Sequence, residues 1–317
     1  MTDIKLLEGQ TITNALFGIH LFDIIEENPN IKIIAADTSS YIPALELFKA
    51  MYPDSFINAG ISEQNMIGIA AGLTSEGFRC VCLAQACFLT MRCFEQVRQY
   101  MSYMGIPIIL VGLSAGFGLQ FMGNTHYAIE DISLLRSIPG INIFSPSDAI
   151  QAIKIFDMAL TLDSPSYIRL TGNTPSLLYS NDFDYDMHLS TPIKEGQDII
   201  VFATGSMVHQ LNEIAEKVES TTGNSVACYD VHCLQPFDIK ALECVKKAKL
   251  IVSLEEHGIN GGLGSIISDY VAQNPGFPPI LKLGINGYST VGDYNYLLQQ
   301  HGLTAPQIAE KIIQSVR

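Results

Sequence analysis

Charge is what this chain has least of. Only 16% of its 317 residues are charged, against about 25% in an ordinary soluble domain, while 48% are hydrophobic. So much apolar surface needs covering, and a large subunit interface is the plainest cover. Basic residues are the scarcer sign, 18 against 32 acidic for a net charge of −14, which argues against nucleic acid or an anionic membrane as partner. Cys-x-x-Cys pairs are also missing. Seven cysteines without regular spacing read as free thiols in a reducing compartment, and Cys80 and Cys82, alternating along a strand, read as packing. The opening "MTDIKLLEGQ" has no signal-peptide apolar region. The uncharged stretch 106–123 is broken by Pro107 and by glycines at 112, 116, 118 and 123, so it reads as a buried strand and a loop rather than a membrane span. These absences together predict a soluble, cytoplasmic protein.

What is present is an alternation of short β-rich runs with helical patterns. Strands are expected at 31–36, 79–84, 106–111, 141–144 and 167–170, and helices at 13–27, 41–51, 63–76, 88–104, 129–137 and 148–161. Strands apolar on both faces and separated by helices make βαβ units and a mainly parallel sheet. The pattern breaks near 171–196, a polar stretch with two prolines that reads as an interdomain linker. A second series follows, with strands at 199–203, 225–229, 250–254 and 280–283 and helices at 207–219, 238–247, 264–272, 294–299 and 305–314. At 317 residues two domains are also what core size predicts. The expectation is an α/β protein of two domains.

Four places could carry chemistry. In "GISEQNMIGIAAG", residues 60–72, Glu63 opens an apolar helix behind Ser62, a candidate N-cap. An acid in a first turn settles the helix dipole; a buried one needs a partner, for which a ligand nitrogen would serve. In "LAQACFLTMRCFEQVRQ" a strand end leads to Phe88, either a core aromatic or a ring that stacks on a ligand at the carboxyl edge of the sheet. The glycine loop 112–123 leads to Thr125-His126, where the histidine is either bonded to backbone or placed to move a proton. Arg169 ends the strand "YIRL" and suits either a ligand anion or an internal ion pair. "EEHGINGGLG", 255–264, lacks both phosphate-loop spacings and reads as close helix–strand packing. Its Glu255, Glu256 and His257 alternate between the faces of a strand, so no metal is expected to be held by this chain alone.

Taken in order, "FINAGISEQNMIGIAAGL", "CFLTMRCFEQVR", "GNTHYAIEDISLLRSIPG", "FSPSDA", "YIRL" and "EEHGINGGLG" resemble the C-terminal half of transketolases, and more closely the C-terminal subunit of split, two-chain transketolases. The resemblance spans nearly the whole chain. It implies a pyrimidine-binding domain over 1–175, a linker over 176–195 and a transketolase C-terminal domain over 196–317. It also implies thiamine diphosphate as cofactor. Glu63 would hydrogen-bond N1′ of the aminopyrimidine, favouring the imino tautomer whose 4′-nitrogen deprotonates the thiazolium, so that a two-carbon ketol unit passes from a ketose to an aldose. Phe88 would stack on the pyrimidine, Asp37 in "AADTSS" would lie near the cofactor, His126 would contact the donor sugar and assist proton transfer, and Arg169 would hold a substrate phosphate.

The magnesium signature of the superfamily, GDG followed by an asparagine, is missing; the nearest run is "GDY" at 292–294. The resemblance therefore implies that a separate N-terminal subunit carrying GDG…N holds the diphosphate and Mg²⁺, in an α2β2 heterotetramer with the active site between chains. Departures from the family pattern bear on substrate. Thr13-Asn14 stands where relatives often have Thr-Arg, Ser114 where they have histidine or arginine, Tyr127 where they have glutamine, and Met91 in the aromatic pocket. With only Arg169 left of three phosphate ligands, a specialised sugar substrate is expected. Alternatives are a deoxyxylulose-phosphate synthase-like or 2-oxoacid dehydrogenase β-like subunit acting on pyruvate, distinguishable by CO2 release or lipoyl acylation, and a non-catalytic regulatory subunit.

Overall fold

The structure, a computed structural model, describes residues 12–38, 42, 44–171 and 174–316. The first eleven residues, the expected helix start at Tyr41 and Ser39-Ser40 of "AADTSS" lie outside the described residues. Six strands come from the first half: β1 (Ile31–Ala35), β2 (Phe56–Asn58), β3 (Arg79–Gln85), β4 (Ile109–Leu113), β5 (Asn142–Phe144) and β6 (Ser166–Arg169). Six follow: β7 (Thr191–Lys194), β8 (Ile199–Ala203), β9 (Val226–Asp230), β10 (Cys233–Gln235), β11 (Leu250–Gly258) and β12 (Ile280–Ile285). They form two mainly parallel sheets, ordered β10-β5-β6-β4-β3-β1-β2 and β12-β11-β8-β9-β7. The central strands β3, β4 and β8 are buried on both faces almost throughout, as continuous apolar runs between helical layers require.

Helices α1 (Ile12–Glu27), α2 (Ala44–Met51) and α6 (Ala149–Thr161) contribute to one core, where Phe17 meets Phe156 edge to face at 5.0 Å. Packed against the opposite sheet face are α3 (Glu63–Ser75), α4 (Phe94–Gln96) and α5 (Asp131–Arg136). In the second half, α7 (Leu211–Thr222) and α11 (Ala305–Ser315) cover one face of the sheet, and α8 (Ile239–Glu243) and α9 (Leu263–Gln273) the other; α10 (Tyr294–His301) precedes α11. Helix starts follow local chemistry: Asp148, Asp238 and Asp293 each accept a backbone N–H three residues on, and Thr304 with Gln307 closes a capping box on α11.

Three strands were not expected. β2 and β10 are three residues each, too short to show a period. β7 lies inside the stretch read as linker, and its Pro192 is tolerated because β7 is, among the described residues, a sheet edge paired with β9 alone. β10, from the second half, pairs antiparallel with β5 of the first sheet. The expected helix 88–104 is also interrupted: π-helical turns Phe88–Arg92 and Val97–Tyr103 flank the short α4. The two halves share one apolar core, which runs from Met66 and Leu89 to Ile251 and Ile267.

Candidate active site at the carboxyl edge of the first sheet

Six of the residues singled out from sequence follow or close parallel strands of the first sheet, whereas Thr13 and Asn14 lie in α1. Asp37 follows β1, Glu63 opens the helix after β2, Phe88 follows β3, Ser114 and His126 follow β4, and Arg169 ends β6. In an open parallel sheet this edge is where ligands bind.

Glu63 is 3% exposed. Ser62 occupies the N-cap position of α3, yet its hydroxyl donates to the Ala59 carbonyl at 2.6 Å instead of accepting a helix N–H. The carboxylate of Glu63 is met by Arg92, whose Nη1 donates to Oε2 at 2.8 Å; the arginine side chain is 45% exposed. The same guanidinium lies over the Phe88 ring, Cζ 4.2 Å from its centroid. His126 approaches that ring edge-on, centroids 5.1 Å apart, and its Nδ1 is 3.0 Å from Thr125 Oγ1. Glu63, Phe88 and His126 thus form one connected row, in which Arg92 links Glu63 to Phe88 and Phe88 meets His126. Met91, 40% exposed, follows in the same π-helical turn.

Asp37 has φ +56 and exchanges hydrogen bonds of 3.1 Å with Asn58, whose Oδ1 also accepts from Gly60 N. It thereby braces the turn that leads to Glu63. Ser114 is buried, with φ +54, at the exit of β4.

Arg169 departs from the substrate-facing position expected of it. It is 1% exposed; Nε donates to Asp131 at 2.8 Å and Nη2 to the carbonyls of Ala128 and Glu256. Tyr167 donates to the same Asp131 oxygen at 2.7 Å. A guanidinium so enclosed serves a buried ion pair that ties the first half to β11, the second of the two readings its sequence allowed.

The run 255–257 divides as strand alternation demands. Glu255 accepts from the N–H groups of Leu263 and Gly264 at the start of α9, and burial raises its pKa to about 7. Burial lowers that of His257 to about 4. Glu256 turns the other way, accepting from Phe117 N at 2.6 Å, from Tyr294 and from Ser206. Gly116, at φ +64, must be glycine, because a Cβ there would lie 2.3 Å from Glu256 Oε1.

Two residues escaped the sequence reading. Arg92 had a signal: it is four residues from Phe88, on the same side of a helix. Gln85, the last residue of β3, is buried with neither amide atom bonded among the described residues, and nothing in its neighbours announces that. A cleft of about 540 Å³ is lined by Thr174 at the end of the first half and by His209, Leu298 and Pro306 of the second, among others, and does not include Glu63 or Phe88. Among the described residues no group of three or more His, Cys, Asp or Glu side chains could hold a metal ion.

Comparison with known proteins defines the class. Residues 11–174 match the transketolase pyrimidine-binding domain and residues 191–308 the transketolase C-terminal domain. The chain belongs to the transketolase family. It is 32% identical to an apulose-4-phosphate transketolase subunit of Actinobacillus succinogenes, over 87% of this chain and 89% of that protein. It is 30% identical to a 6-deoxy-6-sulfo-D-fructose transketolase subunit of Clostridium sp. strain MSTE9, over 91% and 89%. A solved structure described as a split gene transketolase, inactive beta4 tetramer, superposes with a TM-score of 0.84 at 30% identity, covering 98% of this chain and all of that one.

Proposed function

We propose that this chain is the pyrimidine-holding subunit of a two-chain, thiamine diphosphate-dependent transketolase that moves a two-carbon ketol unit between sugars. The observation that carries the reading is a buried carboxylate, Glu63, bridged by Arg92 to the face of Phe88 at the carboxyl edge of a parallel sheet. An aminopyrimidine needs those two things: a flat apolar platform and a buried hydrogen-bonding acid at its ring nitrogen. When bound, thiamine diphosphate would supply a carbanion and an electron sink for cleaving the donor's carbon–carbon bond. Glu63 would hold the ring nitrogen, Phe88 would fix the ring plane, and His126, edge-on to Phe88, would bind a substrate hydroxyl and shuttle its proton. Asp37 acts at one remove, bracing the turn before Glu63.

We assign diphosphate and Mg²⁺ to a separate N-terminal subunit, in an α2β2 assembly. The support is kinship with proteins that are themselves named as single subunits of a transketolase, which this chain covers almost end to end, and the scarcity of charge. A cytoplasmic setting is supported by seven free cysteines, six of them buried. Among the described residues no helix is long and apolar enough to cross a membrane. The substrate is proposed to be a specialised sugar rather than a pentose phosphate. Asn14 and Ser114 stand where family members place cationic phosphate ligands, and Arg169 is committed to Asp131. A relative named for 6-deoxy-6-sulfo-D-fructose carries a different anion, and one named for apulose 4-phosphate an unusual sugar, which supports specialisation in the sugar rather than loss of every anion.

The test is Glu63→Gln in the reconstituted pair. Turnover should fall by about 10²-fold or more with the assembly intact; unchanged turnover overturns the mechanism. Rescue of a transketolase-deficient strain on pentose by the wild-type pair would overturn the specialised-substrate reading alone.

A further inference from the structure

Arg92 makes, with one group, both of the contacts that define the proposed pyrimidine subsite. Its guanidinium is planar and lies 4.2 Å over Phe88, where a flat ring would stack. It donates at 2.8 Å to Glu63, the carboxylate that a ring nitrogen would meet. A guanidinium also presents a donor-bearing planar edge much like that of a protonated aminopyrimidine. The π-helical turn Phe88–Arg92 puts platform and arginine on one segment, so the guanidinium reaches its ring without help from another element.

Left alone, a 3% exposed carboxylate would carry a desolvation penalty; Arg92 removes it while keeping its own side chain 45% exposed and able to swing outward. From this we propose that Arg92 is a built-in occupant of the aminopyrimidine subsite, which pairs Glu63 while the subsite is empty and is displaced as thiamine diphosphate binds. The proposal rests on the reading that Glu63 and Phe88 receive the pyrimidine. It makes Arg92 a determinant of cofactor affinity: binding must break the Glu63–Arg92 pair, so apparent affinity is lowered by the fraction of chains in which the pair is closed.

The test is calorimetric titration of thiamine diphosphate, with Mg²⁺ present, into the chain reconstituted with its N-terminal subunit, comparing wild type, Arg92→Ala and Arg92→Met. The methionine variant keeps an apolar stem over Phe88 and guards against misfolding of the alanine variant. Both substitutions should tighten thiamine diphosphate binding by about tenfold, and in a Glu63→Gln background the gain should vanish. A crystal structure of the loaded pair should show Arg92 withdrawn from Glu63 and from the face of Phe88. Unchanged or weaker binding in both variants, or a loaded structure in which Arg92 still bonds Glu63 while stacked on Phe88, overturns the proposal. Failure of the wild-type pair to bind thiamine diphosphate at all would instead overturn the reading beneath it.

Discussion

Glu63 and Arg169 are both buried ionic residues near one sheet edge, and substitution should separate their work. Arg169 is enclosed with Asp131, so Arg169→Ala leaves a buried carboxylate without its cation. The cost should be about 3–5 kcal/mol of stability, read by urea denaturation of the chain; an unchanged midpoint with only a raised KM would restore a substrate-facing role. His126 stands apart, half-buried, its ring bonded to its neighbour Thr125 and set against the edge of Phe88. His126→Asn should lower kcat by about 10²-fold and leave the melting temperature within about 1 °C, since it removes no ion pair and the amide can still meet Thr125. Glu63, Phe88 and His126 were legible because each sits in a motif whose order is distinctive. Arg92 left only its spacing of four from Phe88, and its place over the ring depends on a π-helical register that spacing alone does not reveal. The two readings of Arg169 could be separated only by seeing Asp131, 38 positions away, beneath it.

At the scale of elements, β11 carries the clearest pH signature. His257 in the fold takes its proton near pH 4 rather than near 6.5, so the stability it contributes is present above about pH 6.5 and is lost as pH falls through that window. Glu255 works in the opposite sense. Its pKa is raised from 4.5 to about 7, so stability is greatest below about pH 4.5 and declines as pH rises toward 7. Thermal unfolding between pH 4.5 and 8 should therefore show His257→Asn losing less than wild type on acidification, by up to roughly 3 kcal/mol, and Glu255→Gln losing less on going from pH 5 to 8. Parallel profiles for the three proteins would remove both assignments. The expected strand ends at 254; it continues to Gly258 because α9 offers its free N–H groups to Glu255 and the loop at Phe117 offers one to Glu256. Long apolar strands and capped helices were readable in the same way, whereas β2, β7 and β10 owe their pairing to neighbours and left almost no local trace.

For the whole molecule, the two halves are chained by more than the linker. β10 hydrogen-bonds to β5, Arg169 reaches the Glu256 carbonyl, Glu256 holds the loop at Phe117, and Asp230 of β9 accepts from Ser147, Gln151 and Tyr179. Unfolding followed by calorimetry should accordingly give one cooperative transition rather than two, and a chain cut after residue 175 should aggregate; two separate transitions would show independent halves. Light scattering after mixing with the N-terminal subunit should give the mass of an α2β2 particle, and the Glu63→Gln variant should assemble equally well.

The strand order has a consequence for how the protein is made. A ribosome delivers residues 12–171 before Cys233–Gln235 exist, so the growing first sheet must wait with β5 as a bare edge. An unpaired edge is an invitation to other chains, and nascent chains emerge at about 5–20 residues per second. For the seconds needed to synthesise the next sixty-odd residues, the half-made enzyme therefore depends on shielding from its neighbours, and slowing translation between the two halves should raise the share of insoluble product.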